Sequence, residues 1–121
     1  MALGIIVCGV GGRMGSAVVR AIKDSAGVEL AAAIDKPGSI RIGKDAGELC
    51  AAGHLGIAVT DRIEPILKRG AVIVDFTNPQ ASLSYLRAAA KVRTPIVIAT
   101  TGFDAKQQAE IKQLSRRTPT L

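Results

Sequence analysis

Short unbroken apolar runs alternate with amphipathic stretches along this chain, and the alternation predicts a doubly wound α/β domain with a parallel sheet. Two further observations point the same way. Hydrophobic residues make up 48% of the 121 positions but aromatics only 2%, so the core must be built from Ala, Val, Ile and Leu. Small and β-branched residues of that kind suit helices packed on both faces of a parallel sheet. The Gly-, Asp- and Thr-rich segments also stand where apolar runs end, which is the edge at which an open α/β sheet carries its ligand crevice. The length corresponds to one domain over residues 1–121.

The elements follow in order. Residues 3–8 form an apolar first strand, and a glycine-rich turn leads into a helix over 16–23. Met14, Ala17, Val18, Ala21 and Ile22 have helical spacing and are expected to face the core, with Arg20, Lys23 and Asp24 outward. Gly27 is expected to close this helix as its left-handed terminal residue. A second strand over 28–35 ends at Asp35. From 36 to 56 glycines and Pro37 break every pattern except one helical turn around 46–51, and so long a loop is either functional or a covering flap. A short strand at 57–60 follows, then a short helix over 63–69 capped by Asp61, with Pro65 in its first turn. The fourth strand spans 72–75. Asn78 as N-cap and Pro79 at the first helical position start a helix whose Leu83, Leu86 and Ala90 share one face. The fifth strand spans 96–99, and Asp104 caps a last helix to about residue 117 that carries Ala105, Ala109, Ile111 and Leu114. Residues 118–121 read as a sixth strand that is only begun, so the domain is expected to be truncated there.

The motif Gly9-Val10-Gly11-Gly12-Arg13-Met14-Gly15 joins the first strand to the first helix. Strand, glycine turn and helix in this order form the phosphate-binding corner of a Rossmann-type dinucleotide domain. Gly9 lets the chain leave the strand tightly, Gly11 clears the surface on which a pyrophosphate would rest, and Gly15 lets helix and strand pack closely. The spacing is G-x-G-x-x-x-G, with Met14 where the commoner pattern has its third glycine, and a tight turn without ligand has the same appearance. The helix start offers unpaired N–H groups and the positive end of its dipole.

Asp35 lies twenty residues after Gly15, where a carboxylate accepts hydrogen bonds from an adenosine ribose and repels a 2′-phosphate. Lys36 beside it offers a mobile positive charge to that same phosphate, so the pair predicts use of both NADH and NADPH. The other reading of Asp35-Lys36 is an ordinary solvated turn. Arg13 is either a phosphate partner or an exposed first-turn arginine. Thr77, Thr100 and Thr101 bring hydroxyls and free N–H groups to the fourth and fifth strand ends, on the nicotinamide side, or else serve as plain caps. Phe76 lies either against the nicotinamide or in the core.

Composition excludes several classes. The net charge of +6 favours an anionic partner, but Tyr85, Phe76 and Phe103 are the only aromatics, too few for a nucleic-acid stacking surface. Cys8 and Cys50 do not make a disulfide framework, and Cys8 reads as a buried strand-end residue. Cys50 and His54 stand four apart with no second pair, so no metal site is expected; they read as a half-buried thiol and a surface imidazole. With no leader-like segment and no apolar run of membrane-spanning length, a cytoplasmic protein is expected.

Four ordered segments carry a closer likeness: 9–15 with its Gly12-Arg13-Met14-Gly15 ending, Asp45-Ala46-Gly47-Glu48-Leu49, Val74-Asp75-Phe76-Thr77-Asn78-Pro79, and Thr100-Thr101-Gly102-Phe103. With these the whole chain resembles the amino-terminal part of the 4-hydroxy-tetrahydrodipicolinate reductase (dihydrodipicolinate reductase) family. The resemblance implies NADH- or NADPH-dependent reduction of a cyclic dicarboxylate to tetrahydrodipicolinate, in diaminopimelate and lysine biosynthesis. It implies that Gly9, Val10, Gly11, Gly12, Arg13 and Met14 line the pyrophosphate, Asp35 the adenosine ribose and Lys36 the 2′-phosphate. Ala99, Thr100 and Thr101 would border the nicotinamide; Ala99 stands where the family usually has glycine. The family's proton donor, its dicarboxylate-binding groups and the sheet that builds its homotetramer belong to a second domain. Nothing in this chain matches that domain, and His54 is outside its histidine motif. No catalytic residue is therefore assigned here, and the chain reads as an inactive cofactor-binding fragment that leaves a sheet edge open to self-association. Two other readings are a non-catalytic NAD-sensing Rossmann module and the cofactor domain of a related enzyme such as aspartate dehydrogenase.

Overall fold

A computed structural model describes residues 2–67 and 71–121. In chain order the elements are β1 (Leu3–Cys8), α1 (Arg13–Lys23), β2 (Val28–Ile34), α2 (Ala46–Leu49), β3 (Val59–Thr60), α3 (Glu64–Leu67), β4 (Val72–Asp75), α4 (Pro79–Val92), β5 (Ile96–Ile98) and α5 (Ala105–Leu114). The strands form one parallel sheet in the order β3-β2-β1-β4-β5. That is the doubly wound Rossmann-type order, with its switch point between β1 and β4. Residues 118–121 begin to pair beside β5: Thr120 bridges Ile96, and the Leu121 carbonyl accepts the Ile98 N–H at 2.8 Å.

Alternation along the central strands divides the core into two layers. Ile6, Cys8, Ile34 and Ile73 point to the face covered by α3 and α4, where Leu67, Leu86 and Ala89 complete the cluster. Val7, Leu30 and Ala33 point to the face covered by α1 and α2, with Val19, Ile22, Ala46 and Cys50. Both faces of the sheet are thus covered, which is why its strands are mostly apolar. The register slips once: Ile5 pairs Leu30 and Ile6 pairs Ala32, leaving Ala31 as an extra residue in β2.

Several local expectations need correction. The buried face of α1 is Gly15, Val19 and Ile22, whereas Met14 and Ala21 are exposed. Close packing at Gly15 sets this rotation, because the helix turns its glycine, and not its methionine, toward the strand. Asp24 is the C-cap of α1, so Gly27 (φ +84°) instead shapes the turn into β2. Helix α3 starts at Glu64, which puts Asp61 outside the cap position; residues 68 and 69 of the expected helix lie outside those described. Cys50 is buried and follows the end of α2, so it shares no helical face with the exposed His54. In α5, Ile111 and Leu114 pack on the core but Ala105 and Ala109 are exposed.

The long loop after β2 folds around one carboxylate. Asp45 caps α2 by accepting the Glu48 N–H at 2.9 Å, and it also accepts Leu55, Gly56 and Ile57 N–H groups at 3.1, 2.7 and 3.1 Å. Burial pushes this carboxyl up, but the backbone donors and nearby His54 outweigh it and hold the group at about 2, below the ordinary 3.8. A carboxyl depressed in the folded state stabilises fully above its unfolded value and loses that contribution as pH falls. Urea midpoints of the chain are therefore expected to drop between pH 3.8 and about 2, with D45N less stable at neutral pH and flatter across this window. Parallel acid profiles for the two proteins would show that Asp45 does not organise the loop.

Candidate functional site

All the residues singled out at strand ends gather along the carboxyl edge of the sheet. The glycine loop after β1 is central, Asp35 after β2 lies to one side, and the turns after β4 and β5 lie to the other. From β2 to β5 is three strand spacings, roughly 14 Å, a span suited to an extended ligand laid across the switch point.

The loop itself is fixed by backbone. Gly9 (φ +86°) gives its N–H to the Ile34 carbonyl at 3.0 Å, and Gly12 N–H returns to the Gly9 carbonyl at 3.1 Å. A side-chain carbon on Gly9 would run into the Phe76 carbonyl, and one on Gly15 into the Gly9 carbonyl. Val10 contributes backbone only: its side chain is fully buried, and its carbonyl accepts the Ser16 hydroxyl at 3.2 Å. Gly12 is the N-cap of α1, with no side-chain cap and no acid in the first turn, whereas Asn78 and Asp104 cap α4 and α5. The α1 terminus thus presents N–H groups and a positive dipole end without a side chain of the protein to compensate them. Arg13 and Met14 are exposed at its mouth.

On the β2 side, Asp35 is clasped by its own loop. Its Oδ1 accepts the Lys36 N–H at 2.9 Å, and its Oδ2 accepts the Ser39 hydroxyl at 2.7 Å. Arg41, which the sequence reading did not single out, brings Nη1 to 3.5 Å from the same Oδ2. The Lys36 side chain is exposed.

On the β4 side, the central group is Asp75, fully buried at the end of its strand. Thr77 donates its hydroxyl to Oδ1 at 2.5 Å, and the buried Ser82 hydroxyl donates to Oδ2. Thr100 lies 2.7 Å from Ser82 and 3.3 Å from Oδ2, and its hydroxyl accepts the Thr77 N–H at 3.1 Å. The Thr77 and Thr100 hydroxyls and the Thr77 N–H are therefore not free as expected: they are consumed in a network that pins the β4 and β5 turns together. The Ala99 N–H is also taken, by the Asp75 carbonyl at 2.9 Å. Thr101 and the Ala99 methyl are exposed at the rim, and Phe76 is half-buried beside Gly9. Burial, together with the Asp75 charge, pushes the neighbouring Cys8 thiol far up.

Ser82 was invisible as a site residue because it interrupts an otherwise apolar helix face, with no motif marking it. Removing it leaves a buried carboxylate oxygen short of a donor, so S82A is expected to lower stability by about 1–3 kcal/mol in urea titrations. It should also speed modification of the buried thiols by a thiol reagent. An unchanged midpoint would mean the network is dispensable.

A family model described as dihydrodipicolinate reductase, N-terminus, matches residues 3–121. The 4-hydroxy-tetrahydrodipicolinate reductase of Thiobacillus denitrificans is 43% identical over 119 residues, covering 98% of this chain and 44% of that protein. The Brucella abortus enzyme of the same name is 40% identical over 114 residues, covering 94% and 42%. The chain thus spans under half the length of these curated relatives. Among solved structures, a dipicolinate-bound dihydrodipicolinate reductase from Paenisporosarcina sp. TG-14 superposes with a TM-score of 0.69 at 21% identity, covering 95% of this chain and 43% of that one. An amine dehydrogenase from Mycobacterium smegmatis gives 0.76 at 24%, covering 99% and 38%, a likeness of fold alone. With its glycine loop, its strand-end motifs and a match running from residue 3 to residue 121, the chain belongs to the dihydrodipicolinate reductase family, of which it matches the amino-terminal part.

Proposed function

We propose that this chain is the NAD(P)H-binding part of a reductase that converts 4-hydroxy-tetrahydrodipicolinate to tetrahydrodipicolinate on the route to diaminopimelate and lysine. The observation that carries the reading is the uncapped, acid-free start of α1 behind the Gly11-Gly12 turn, set between Asp35 and the Thr100-Thr101 turn. The residues present fit such a cofactor: Gly12 leaves backbone exposed for phosphates, the Arg41 guanidinium lies over Gly11, and the helix terminus lacks its own anion. The names and coverage of the relatives support the activity.

In this reading the 9–14 loop and α1 hold the pyrophosphate, and Asp35 with Lys36 meets the adenosine end. The turns after β4 and β5 border the nicotinamide, with Phe76, Ala99 and Thr101 as the groups nearest the rim. Thr77 and Thr100 act indirectly, by keeping those turns at a fixed separation through Asp75. A bound nicotinamide supplies the hydride; this chain's task is to bind and orient it. The dicarboxylate-binding groups and the proton donor are supplied by sequence equivalent to the rest of the relatives' length. Residues 1–121 are thus one cofactor domain, of a protein we take to be a cytoplasmic homotetramer without nucleic-acid or membrane partners.

Calorimetric titration of the chain with NADH and with NADPH tests this. Binding of both is expected, with K36A weakening NADPH by about tenfold and NADH much less, since only NADPH carries the extra phosphate. No heat from either cofactor would reject the reading.

A further inference from the structure

We propose that Arg41 is a specificity residue for the adenosine end, neutralising Asp35 and offering its guanidinium to the 2′-phosphate that distinguishes NADPH from NADH. This deepens the cofactor reading above and rests on it.

Arg41 is tied into the loop that clasps Asp35. Its backbone N–H donates to the Ser39 hydroxyl oxygen at 3.1 Å, and that hydroxyl donates to Asp35 Oδ2 at 2.7 Å. From this anchor the side chain runs back over the glycine loop. Its Cδ, Nε and Cζ lie 2.8 to 2.9 Å from where a side-chain carbon on Gly11 would stand, so it occupies surface that only glycine leaves open. The guanidinium therefore sits between the two halves of the adenosine end, the phosphate loop and the acid after β2.

The ion pair it makes there is loose. At 3.5 Å, Nη1 is outside good hydrogen-bonding distance of Asp35, and the Arg41 side chain remains 40% exposed. Among the described residues, no other carboxylate pairs with this guanidinium. Most of its five donors are thus available in a planar fork that matches phosphate geometry. Asp35, in contrast, is only 12% exposed and already accepts two close hydrogen bonds from its own loop.

These facts change what Asp35 alone implies. A bare carboxylate after β2 repels a 2′-phosphate. A carboxylate with a guanidinium beside it forms a nearly neutral pair, and an arriving phosphate dianion draws the guanidinium from the weaker partner to the stronger. Lys36 adds charge at the same end, but from an exposed, unanchored stem. With NADH there is no phosphate to claim Arg41, and the ribose hydroxyls are left to Asp35. Selectivity thus depends on a residue six positions beyond the acid in sequence, returned to it by the loop.

The test is calorimetric titration of the unsubstituted chain, R41A, R41K and D35N with NADH and NADPH, with circular dichroism melts to confirm folding. R41A is expected to weaken NADPH by about tenfold or more and to leave NADH within about twofold. R41K, which keeps the charge but loses the fork, should fall between, and D35N should weaken NADH while sparing NADPH. Equal losses of both cofactors in R41A, or unchanged NADPH affinity, overturn the assignment while leaving cofactor binding intact. Failure of the unsubstituted chain to bind either cofactor overturns both the cofactor reading and this inference.

Discussion

The contact between Gly15 and the backbone of Gly9 governs the geometry of the whole carboxyl edge. Any side-chain carbon at residue 15 would overlap the Gly9 carbonyl, and any at residue 9 would overlap Phe76. Two backbone segments therefore touch directly where most folds interpose side chains. This brings the start of α1 down onto the end of β1 and aims its free N–H groups along the sheet edge. It also rotates the helix, so that Val19 and Ile22 follow Gly15 into the core while Met14 is left outside. Because Gly9 also abuts the β4 turn, the same contact links the phosphate corner to Asp75-Phe76-Thr77.

Around that junction the two sides of the switch point are built on opposite electrostatic plans. After β4, a fully buried carboxylate is surrounded by neutral hydroxyls from Thr77, Ser82 and Thr100. Such a network is costly to leave half-made and rigid once complete, which suits turns that must keep their spacing. After β2, Asp35 has backbone, a hydroxyl and a loosely held guanidinium, one partner of which is free to change. Rigid polar satisfaction lies on the β4 side of the switch point, and exchangeable charge on the β2 side.

How much of this the sequence disclosed follows from the range of the interactions. Local chemistry was readable: the β1 strand, the Asn78-Pro79 and Asp104 helix starts, and the one-turn helix in the long loop all arise from residues within a few positions of one another. The strand-end location of the candidate site was readable for the same reason, since each motif sits directly after an apolar run. What escaped depended on contacts distant in sequence. Helical periodicity put Met14 inward because it could not register the Gly15–Gly9 approach. Thr100 looked available because Asp75, Thr77 and Ser82 meet it only once β4 and β5 are side by side. Arg41 stood in a glycine-broken loop with no pattern to mark it, and its meaning depends on Gly11, thirty residues earlier.

Helix α5 holds to the molecule differently from every other long element. None of its residues is fully buried; Ile111 and Leu114 rest on the core, and Glu110 grips Arg87 of α4 through a two-point ion pair at 2.5 and 2.7 Å. Exposed ion pairs add little and weaken with salt, so α5, which unlike α1 and α4 has no buried residue, is lightly anchored. In a hierarchy of partial opening, β1 at the centre of the sheet would be the last segment to exchange its amide hydrogens with solvent, and α5 among the first. The turn carrying Thr100 and Thr101 lies between β5 and this helix, so one border of the crevice is fastened to the rigid Asp75 network at one end and to a helix without a buried residue at the other.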